Sequence, residues 1–202
     1  DATIRKFGLG FCPSSAVRFT KDAIAAGYKE EFLLSTGLTF KRESDGALRD
    51  RFYDRVIFPI HSVSGRVVGF GGRTLRTDKK VAKYQNSPES DIYNKRRELY
   101  GFYFAKKAIQ QQDNAILVEG YADVISMHQA GVENVVASSG TSLTEEQIRL
   151  ISRFTRNMTL MFDGDPAGVK AALRGVDLVL KEDMNVRIVL LPEEHDPDTF
   201  AR

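Results

Sequence analysis

Three short acidic segments in the C-terminal half of the chain each follow an apolar run. They are AILVEG at 115–120, LMFDGDPAG at 160–168 and LLPEEHDPD at 190–198. If each run is a β-strand, its acids lie at the strand's carboxyl end, where open α/β sheets bind ligands. The acids that would meet at this edge are Glu119, Asp163, Asp165, Asp196 and Asp198. Converging carboxylates repel one another unless a cation joins them, and oxygen ligands suit hard divalent ions such as Mg²⁺. The segments therefore predict metal-assisted phosphoryl chemistry.

Each acid taken alone also allows a purely structural interpretation. Glu119 could be a solvated loop residue, and Asp165 could serve only as a helix N-cap, a position that Asp favours. Asp163 and Asp165 alternate with a glycine, so both side chains can point to the same side of an extended segment. The two segments together, spaced as two β/α units require, favour a shared site.

Composition limits the class of protein. The chain has 202 residues, of which 42% are hydrophobic, enough for one large domain or two small ones. No apolar run approaches the roughly 18 residues of a membrane span, so we expect no membrane association and no signal peptide. The single cysteine, Cys12, excludes an internal disulfide and a zinc site with several Cys ligands, and indicates a cytoplasmic setting. Because the chain begins with Asp1 and stops soon after HDPD, we expect a fragment of a longer protein.

The charge is divided unevenly along the chain. Residues 1–112 contain 21 Lys and Arg against 12 Asp and Glu, and residues 113–202 contain 8 against 15. We therefore predict a basic subdomain at 1–112, able to hold a polyanion backbone, and an acidic, cation-binding subdomain at 113–202. The alternative is that charge merely fluctuates between two subdomains.

Periodicity predicts the elements that would position the acids. Apolar runs at 115–119, 134–138, 158–162 and 186–191 are typical of strands, and helical patterns lie between them. Thr144 and Gln147 fit a capping box. This βαβαβαβ alternation predicts a Rossmann-like parallel sheet flanked by helices. In the mixed α+β N-terminal half we predict helices at 28–38 and 98–112, and a hairpin formed by 55–60 and 66–75.

An acid after the first strand, followed by a DxD after a later one, resembles the TOPRIM domain. Bacterial primases, topoisomerases and some nucleases share this domain, and the resemblance covers about 113–202. It implies Mg²⁺ or Mn²⁺ held by Glu119, Asp163 and Asp165. It also implies help from Asp123, Asp196 and Asp198, although Asp123 could simply be an acid facing a helix dipole.

The N-terminal half narrows the resemblance. FGLGFCP at 7–13, RVIFPI at 55–60, GFGGR at 69–73, KYQNSPES at 83–90 and LYGF at 99–102 are similar to DnaG-type bacterial DNA primases. Nearly the whole chain is covered, and it corresponds to the RNA polymerase core of that family. The zinc-binding and helicase-binding domains of the family have no counterpart in this sequence, so no zinc is expected here.

The resemblance also implies roles for basic and polar residues. It implies a nucleotide-binding cluster facing the metal site, made of Arg73, Lys83 and Lys95, and a template-binding segment with Arg51, Arg55 and Asn86. The planar guanidinium of Arg73 suits phosphate oxygens. Without the resemblance, each of these residues could be an ordinary solvated surface residue.

The function that the resemblance implies is DNA-directed RNA synthesis by nucleotidyl transfer. The partners would be a single-stranded DNA template, ribonucleoside triphosphates, an RNA primer and, through a domain absent here, the replicative helicase. Guanosine tetraphosphate-type alarmones would compete at Arg73 and Lys83, because a triphosphate cradle accepts other polyphosphates. Two rivals remain open: another TOPRIM enzyme that cuts DNA, and a non-catalytic module that only binds nucleic acid or a partner.

Overall fold

The computed structural model describes residues 2–77, 81–140, 142–192 and 195–201. The chain forms two compact units. The N-terminal unit contains residues 1–60 and 67–94, and the C-terminal unit contains residues 61–66 and 95–202. The boundary predicted after residue 112 would place the segment 95–112 in the N-terminal unit, whereas the structure groups this segment with the C-terminal unit. In the described part of the chain, no helix has the length and apolar character needed to cross a membrane.

The N-terminal unit is built from short helices and antiparallel strands. In chain order they are α1 (Ala2–Phe7), β1 (Gly10–Cys12), α2 (Arg18–Ala25), α3 (Glu30–Ser35), β2 (Thr39–Lys41), β3 (Leu48–Asp50), β4 (Arg55–His61), β5 (Val67–Thr74) and β6 (Tyr84–Asn86). One sheet has the order β1-β4-β5-β6, and β2 pairs with β3 separately. The hairpin predicted from residues 55–75 is therefore confirmed, and β6 is an additional strand within a segment that shows no periodicity.

A buried carboxylate organises the start of this unit. Asp50 accepts hydrogen bonds from the backbone N–H groups of Phe19 and Thr20 at 2.8 and 2.9 Å, and from the Thr20 hydroxyl at 2.6 Å. These bonds satisfy N–H groups at the start of α2, which would otherwise lack partners inside the helix. Asp50 thus ties β3 to α2 across about thirty residues of sequence.

The C-terminal unit is a parallel α/β fold. Its elements are α4 (Phe102–Gln112), β7 (Ala115–Val118), α5 (Tyr121–Gln129), β8 (Val135–Ala137), α6 (Glu145–Ser152), β9 (Asn157–Phe162), α7 (Pro166–Lys181), β10 (Asn185–Leu190) and α8 (Pro197–Phe200). The sheet has the order β10-β9-β7-β8, and every pair is parallel. The predicted fold class is confirmed. The capping box is confirmed as well, because Thr144 and Gln147 exchange side chain to backbone hydrogen bonds of 3.2 Å.

The core of this unit lies between the sheet and its helices. Leu117 and Leu160 from the central strands pack with Phe102, Ile109 and Ile148 from the helices, and all five are at most 1% exposed. Burying one such side chain stabilises the fold by about 1.5–3 kcal/mol. Strand β10, at the edge of the sheet, is mostly exposed instead.

Asparagine side chains tie the strands together at the amino end of the sheet. Asn134 Nδ2 donates to the carbonyl of Asn114 at 2.9 Å, and Asn185 Nδ2 donates to Asn157 Oδ1 at 2.9 Å. The Thr159 hydroxyl bonds Asn114 Oδ1 at 3.1 Å. Because a register slip would break these bonds, they fix the alignment of the strands. The carboxyl ends, which carry the acids, are aligned as a result.

Candidate active site

Helix starts position three of the predicted acids. Asp123 Oδ2 accepts a hydrogen bond of 2.8 Å from the Gly120 N–H, next to the start of α5. Asp165 Oδ1 accepts one of 2.7 Å from the N–H of Gly168 in α7. Asp196 Oδ1 accepts one of 2.7 Å from the N–H of Thr199 in α8. The partial positive charge at a helix amino end favours carboxylates there. The capping interpretation is therefore correct for Asp165, and it does not exclude a further role, since a carboxylate has two oxygens.

Glu119 and the DGD segment interact electrostatically. Burial raises the pKa of Glu119, and the charges of Asp163 and Asp165 raise it further. Both aspartates, which follow β9, therefore lie close enough to Glu119, which follows β7, for their charges to act on it.

Asp123 connects this group with the third acidic segment. Its side chain is buried, and burial raises its pKa from 3.8 to about 7, against the opposing effect of the Gly120 N–H. The charges of Asp163, Asp196 and Asp198 contribute to the same increase. All six predicted acids thus belong to one electrostatic neighbourhood. Glu193 and Glu194, also in the third segment, lie outside the described residues.

The donor chemistry of this neighbourhood fits a divalent cation. Carboxylate oxygens are the ligands that Mg²⁺ prefers, and a cation would relieve the repulsion that raises the pKa of Glu119. As the side chains stand, no three Asp, Glu, His or Cys residues in the described ranges are grouped closely enough to hold one ion. The residues fit the metal in chemistry, since Mg²⁺ is commonly held by one or two carboxylates with water as the remaining ligands.

Two glycines allow the DGD loop to pack closely against other backbone. A Cβ added to Gly168 would lie 2.2 Å from the carbonyl oxygen of Asp163. A Cβ added to Gly164 would lie 2.6 Å from the carbonyl oxygens of Leu191 and Pro192. Neither space can hold a methyl group without moving the loop. Both glycines belong to the DGDPAG segment, but no feature of the sequence marks them as site residues.

In the N-terminal unit, two predicted nucleotide-binding residues share one aromatic ring. Arg73 on β5 pairs with Tyr84 on β6, and its guanidinium carbon lies 5.7 Å from the centre of that ring. Lys83 Nζ lies 5.9 Å from the same centre. The Tyr84 side chain is 37% exposed, so the structure brings two cations and a phenol together at an accessible position. Lys95 belongs to the C-terminal unit, where its carbonyl accepts a bond of 3.2 Å from Gln147.

The predicted template-binding residues are partly engaged in internal contacts. Arg55 is 6% exposed and donates to the carbonyls of Ala82, Lys83 and Gly72 at 3.0, 3.3 and 3.4 Å. Arg51 donates to the carbonyl of Gly37 and lies 5.8 Å from the ring centre of Phe40. Asn86 ends β6 and is half-buried. Both arginines therefore have structural roles, which an excess of positive charge in the sequence does not reveal.

Comparison with known proteins gives two consecutive family matches. Residues 1–106 match the family described as DNA primase catalytic core, N-terminal domain, and residues 116–201 match a Toprim-like family. The chain belongs to the DNA primase catalytic core family. The DnaG-type resemblance is thereby confirmed, and the acids at the sheet edge lie in its Toprim-like part.

Relatives and solved structures agree with this assignment. The chain is 45% identical to a DNA primase of Halalkalibacterium halodurans over 199 residues, covering 98% of the chain and 33% of that protein. It is similar to a DNA primase domain from Pseudomonas aeruginosa, with a TM-score of 0.90, 40% identity and coverage of 98% and 62%. It is also similar to a DnaG primase catalytic domain bound to ssDNA, with a TM-score of 0.87, 39% identity and coverage of 98% and 64%. The chain spans about a third of the length of the curated relatives it matches.

Proposed function

We propose that this chain is the part of a DNA primase that catalyses synthesis of short RNA primers on single-stranded DNA. The observation that carries the proposal is that Glu119, Asp163 and Asp165 follow neighbouring strands at the carboxyl end of a parallel sheet and interact electrostatically. The chain that contains them belongs to the primase core family. The reaction would be attack of a ribonucleotide 3′-hydroxyl on the α-phosphate of a ribonucleoside triphosphate, with release of pyrophosphate. This chemistry depends on positioning and charge neutralisation more than on covalent catalysis.

The acidic residues would hold one or more Mg²⁺ or Mn²⁺ ions. Glu119, Asp163 and Asp165 would bind directly, and Asp123, Asp196 and Asp198 would act from the surrounding positions. Such ions, when bound, lower the pKa of an attacking hydroxyl and neutralise phosphate charge. The chain's own contribution is to keep these carboxylates together at helix starts, where backbone N–H groups partly offset their charge.

We infer that Arg73 and Lys83 bind the triphosphate of the incoming nucleotide, with Lys95 also contributing. We expect Arg73→Ala and Lys83→Ala each to weaken nucleotide binding by about tenfold, because each removes a charge-assisted phosphate contact. Arg73→Lys should recover only part of the loss, because an ammonium cannot form the two parallel bonds of a guanidinium. Equilibrium binding of a labelled ribonucleoside triphosphate measures this. The control is Lys21→Ala at an exposed position on α2. Equal losses of nucleotide affinity in all the lysine and arginine variants would contradict a specific triphosphate-binding site.

We propose that the same triphosphate-binding site also binds alarmones of the guanosine tetraphosphate type. Their phosphates present the same oxygen acceptors to Arg73 and Lys83. We expect the alarmone to displace the labelled nucleotide from the unaltered chain, and to compete about tenfold less well with Lys83→Ala. An alarmone that leaves nucleotide affinity unchanged would eliminate this proposal without affecting the polymerase assignment.

We propose that the template crosses the basic N-terminal unit through residues near Arg51, Arg55 and Asn86. A related catalytic domain of known structure is bound to ssDNA, which supports single-stranded DNA as the partner. Because Arg55 donates to the carbonyl of Gly72 on β5 and to those of Ala82 and Lys83 just before β6, we propose that it holds these two segments in place. Backbone contacts with some stacking account for binding without strong sequence preference.

The remaining partners and the setting follow from the primase assignment. We propose that the RNA primer occupies the same site as product, and that the replicative helicase contacts the full-length protein outside this chain. We propose that the protein acts in the cytoplasm at the replication fork. We also propose a functional division into a basic subdomain at 1–112 and a metal-binding subdomain at 113–202. A nuclease with the same Toprim-like fold remains the second candidate, and ribonucleotide-independent cleavage of DNA would favour it.

A further inference from the structure

The third acidic segment contacts both helix α5 and the DGD loop, where the Gly164 N–H donates to the carbonyl of His195 at 3.4 Å. Its residues Asp196, Pro197 and Asp198 form the start of α8, which has only four residues. So short a helix has little stability of its own, and α8 packs on α5. The position of Asp198 within this segment therefore depends in part on its contact with α5.

Ser126 on α5 provides a direct contact. Its hydroxyl donates a hydrogen bond to Asp198 Oδ1, joining residues 72 apart in the sequence. Ser126 stands three residues after Asp123, so both side chains lie on the same side of α5. One helix thus presents an acid and, about one turn later, a donor to a second acid.

This donor opposes a repulsion. Asp123 lies close enough to Asp198 and Asp196 for their charges to act on it. An ionised Asp123 therefore opposes the approach of these two carboxylates to α5. A hydrogen bond from a neutral hydroxyl to a carboxylate is worth more than one between neutral groups, and it fixes which way the carboxylate points.

We propose that Ser126 is a positioning residue that holds Asp198 beside Asp123 and thereby keeps the third acidic segment within the metal site. The inference rests on the proposed metal site and adds to it a residue that carries no charge. Partners that orient metal ligands, or groups near them, typically change metal affinity by about 10–100-fold when they are removed.

The test is Mn²⁺ binding to the chain, followed by the loss of the free-ion electron paramagnetic resonance signal. We expect Ser126→Ala to weaken Mn²⁺ affinity by about tenfold, and Ser126→Thr, which keeps the hydroxyl, to stay within about twofold of the unaltered chain. The matched control is Ser152→Ala on α6, whose hydroxyl bonds only within its own helix turn among the described contacts. It should leave the affinity unchanged.

A double-mutant cycle shows whether Ser126 acts through Asp198. In the Asp198→Ala background, Ser126→Ala should cause no further loss of affinity, because the acceptor is already absent. An additional loss as large as in the unaltered chain would overturn the proposal. So would unchanged Mn²⁺ affinity in Ser126→Ala, even with a lowered melting temperature in chelator, because that would show a purely structural role.

Failure of the inference is distinguishable from failure of the proposed function. If the unaltered chain binds no Mn²⁺, the metal site itself is refuted and the inference falls with it. If the unaltered chain binds Mn²⁺ and Ser126→Ala binds it equally well, only the role of Ser126 is refuted.

Discussion

Gly168→Ala is expected to abolish metal binding and to lower the melting temperature of the C-terminal unit by about 6 °C, within a range of about 2–12 °C. The added methyl group would lie 2.2 Å from the Asp163 carbonyl oxygen and 3.0 Å from the Asp163 nitrogen and carbonyl carbon. These are backbone atoms, so the clash is relieved only by moving the DGD loop away from α7. Forcing extra volume into a packed site costs about 1–3 kcal/mol, and each kcal/mol corresponds to about 2–4 °C in a protein of this size.

The same helix provides a matched control for this substitution. A Cβ added to Gly175, also in α7, would lie 2.9 Å from Leu160 Cδ1, the far end of a side chain and not a backbone atom. Alanine also favours a helix over glycine by about 1 kcal/mol. We expect Gly175→Ala to melt within a few degrees of the unaltered chain and to bind Mn²⁺ normally. Equal effects of the two substitutions on the melting temperature and on Mn²⁺ binding would contradict the close packing of the DGD loop.

Asp123→Asn is expected to stabilise the metal-free chain at pH 8 by about 4 kcal/mol. Burial raises the pKa of Asp123 from 3.8 to about 7 in the folded state. Below about pH 4 the carboxyl is protonated in both the folded and the unfolded chain. Between about pH 4 and pH 7 the folded state keeps a proton that the unfolded state has lost, so the free energy of unfolding falls as the pH rises. Each pKa unit corresponds to about 1.4 kcal/mol.

Urea unfolding in chelator at pH 5 and pH 8 measures this effect. The unaltered chain should lose about 2–3 kcal/mol more stability than Asp123→Asn between the two pH values. The amide oxygen of asparagine can still accept the bond from Gly120, so the helix start is preserved. The control is Asp177→Asn at an exposed position on α7, which should follow the unaltered chain. Parallel pH profiles for Asp123→Asn and the unaltered chain would contradict burial of an ionisable carboxyl at this position.

The C-terminal unit could be predicted from sequence because its signals are local. Its strands are continuous apolar runs buried in a parallel sheet, and such runs are readable without knowledge of their neighbours. The acids follow the strands directly, so predicting the strands also located the acids. Thr144 and Gln147 define a helix start within four residues.

The N-terminal unit was less predictable because its order depends on distant contacts. Strands β1, β2, β3 and β6 have three residues each, too few to show an alternating pattern. Asp50 acts through the start of α2, and Arg55 turns inward to carbonyls 17 to 28 residues away. No local pattern distinguishes such an arginine from one that binds nucleic acid.

Contacts between residues distant in the sequence were also unpredictable within the acidic site. Its members were predicted, whereas the contacts that hold them were not. The Ser126 to Asp198 bond joins residues 72 apart, and the close approach at Gly168 depends on the path of the loop before α7. The sequence identifies which groups carry charge, and the fold determines which backbone and hydroxyl groups restrain them.

The most direct test of the proposed primase activity is extension of a pre-annealed RNA primer on a single-stranded DNA template. The assay contains labelled ribonucleotides and Mg²⁺ or Mn²⁺. The comparison is between the unaltered chain and the double variant Asp163→Asn with Asp165→Asn, which preserves size and lets residue 165 still cap α7. We predict metal-dependent extension that falls by at least about a thousandfold in the double variant, because the groups that hold the ions lose their charge. Equal extension by both proteins, no extension by the unaltered chain, or cleavage of the template without extension would contradict it.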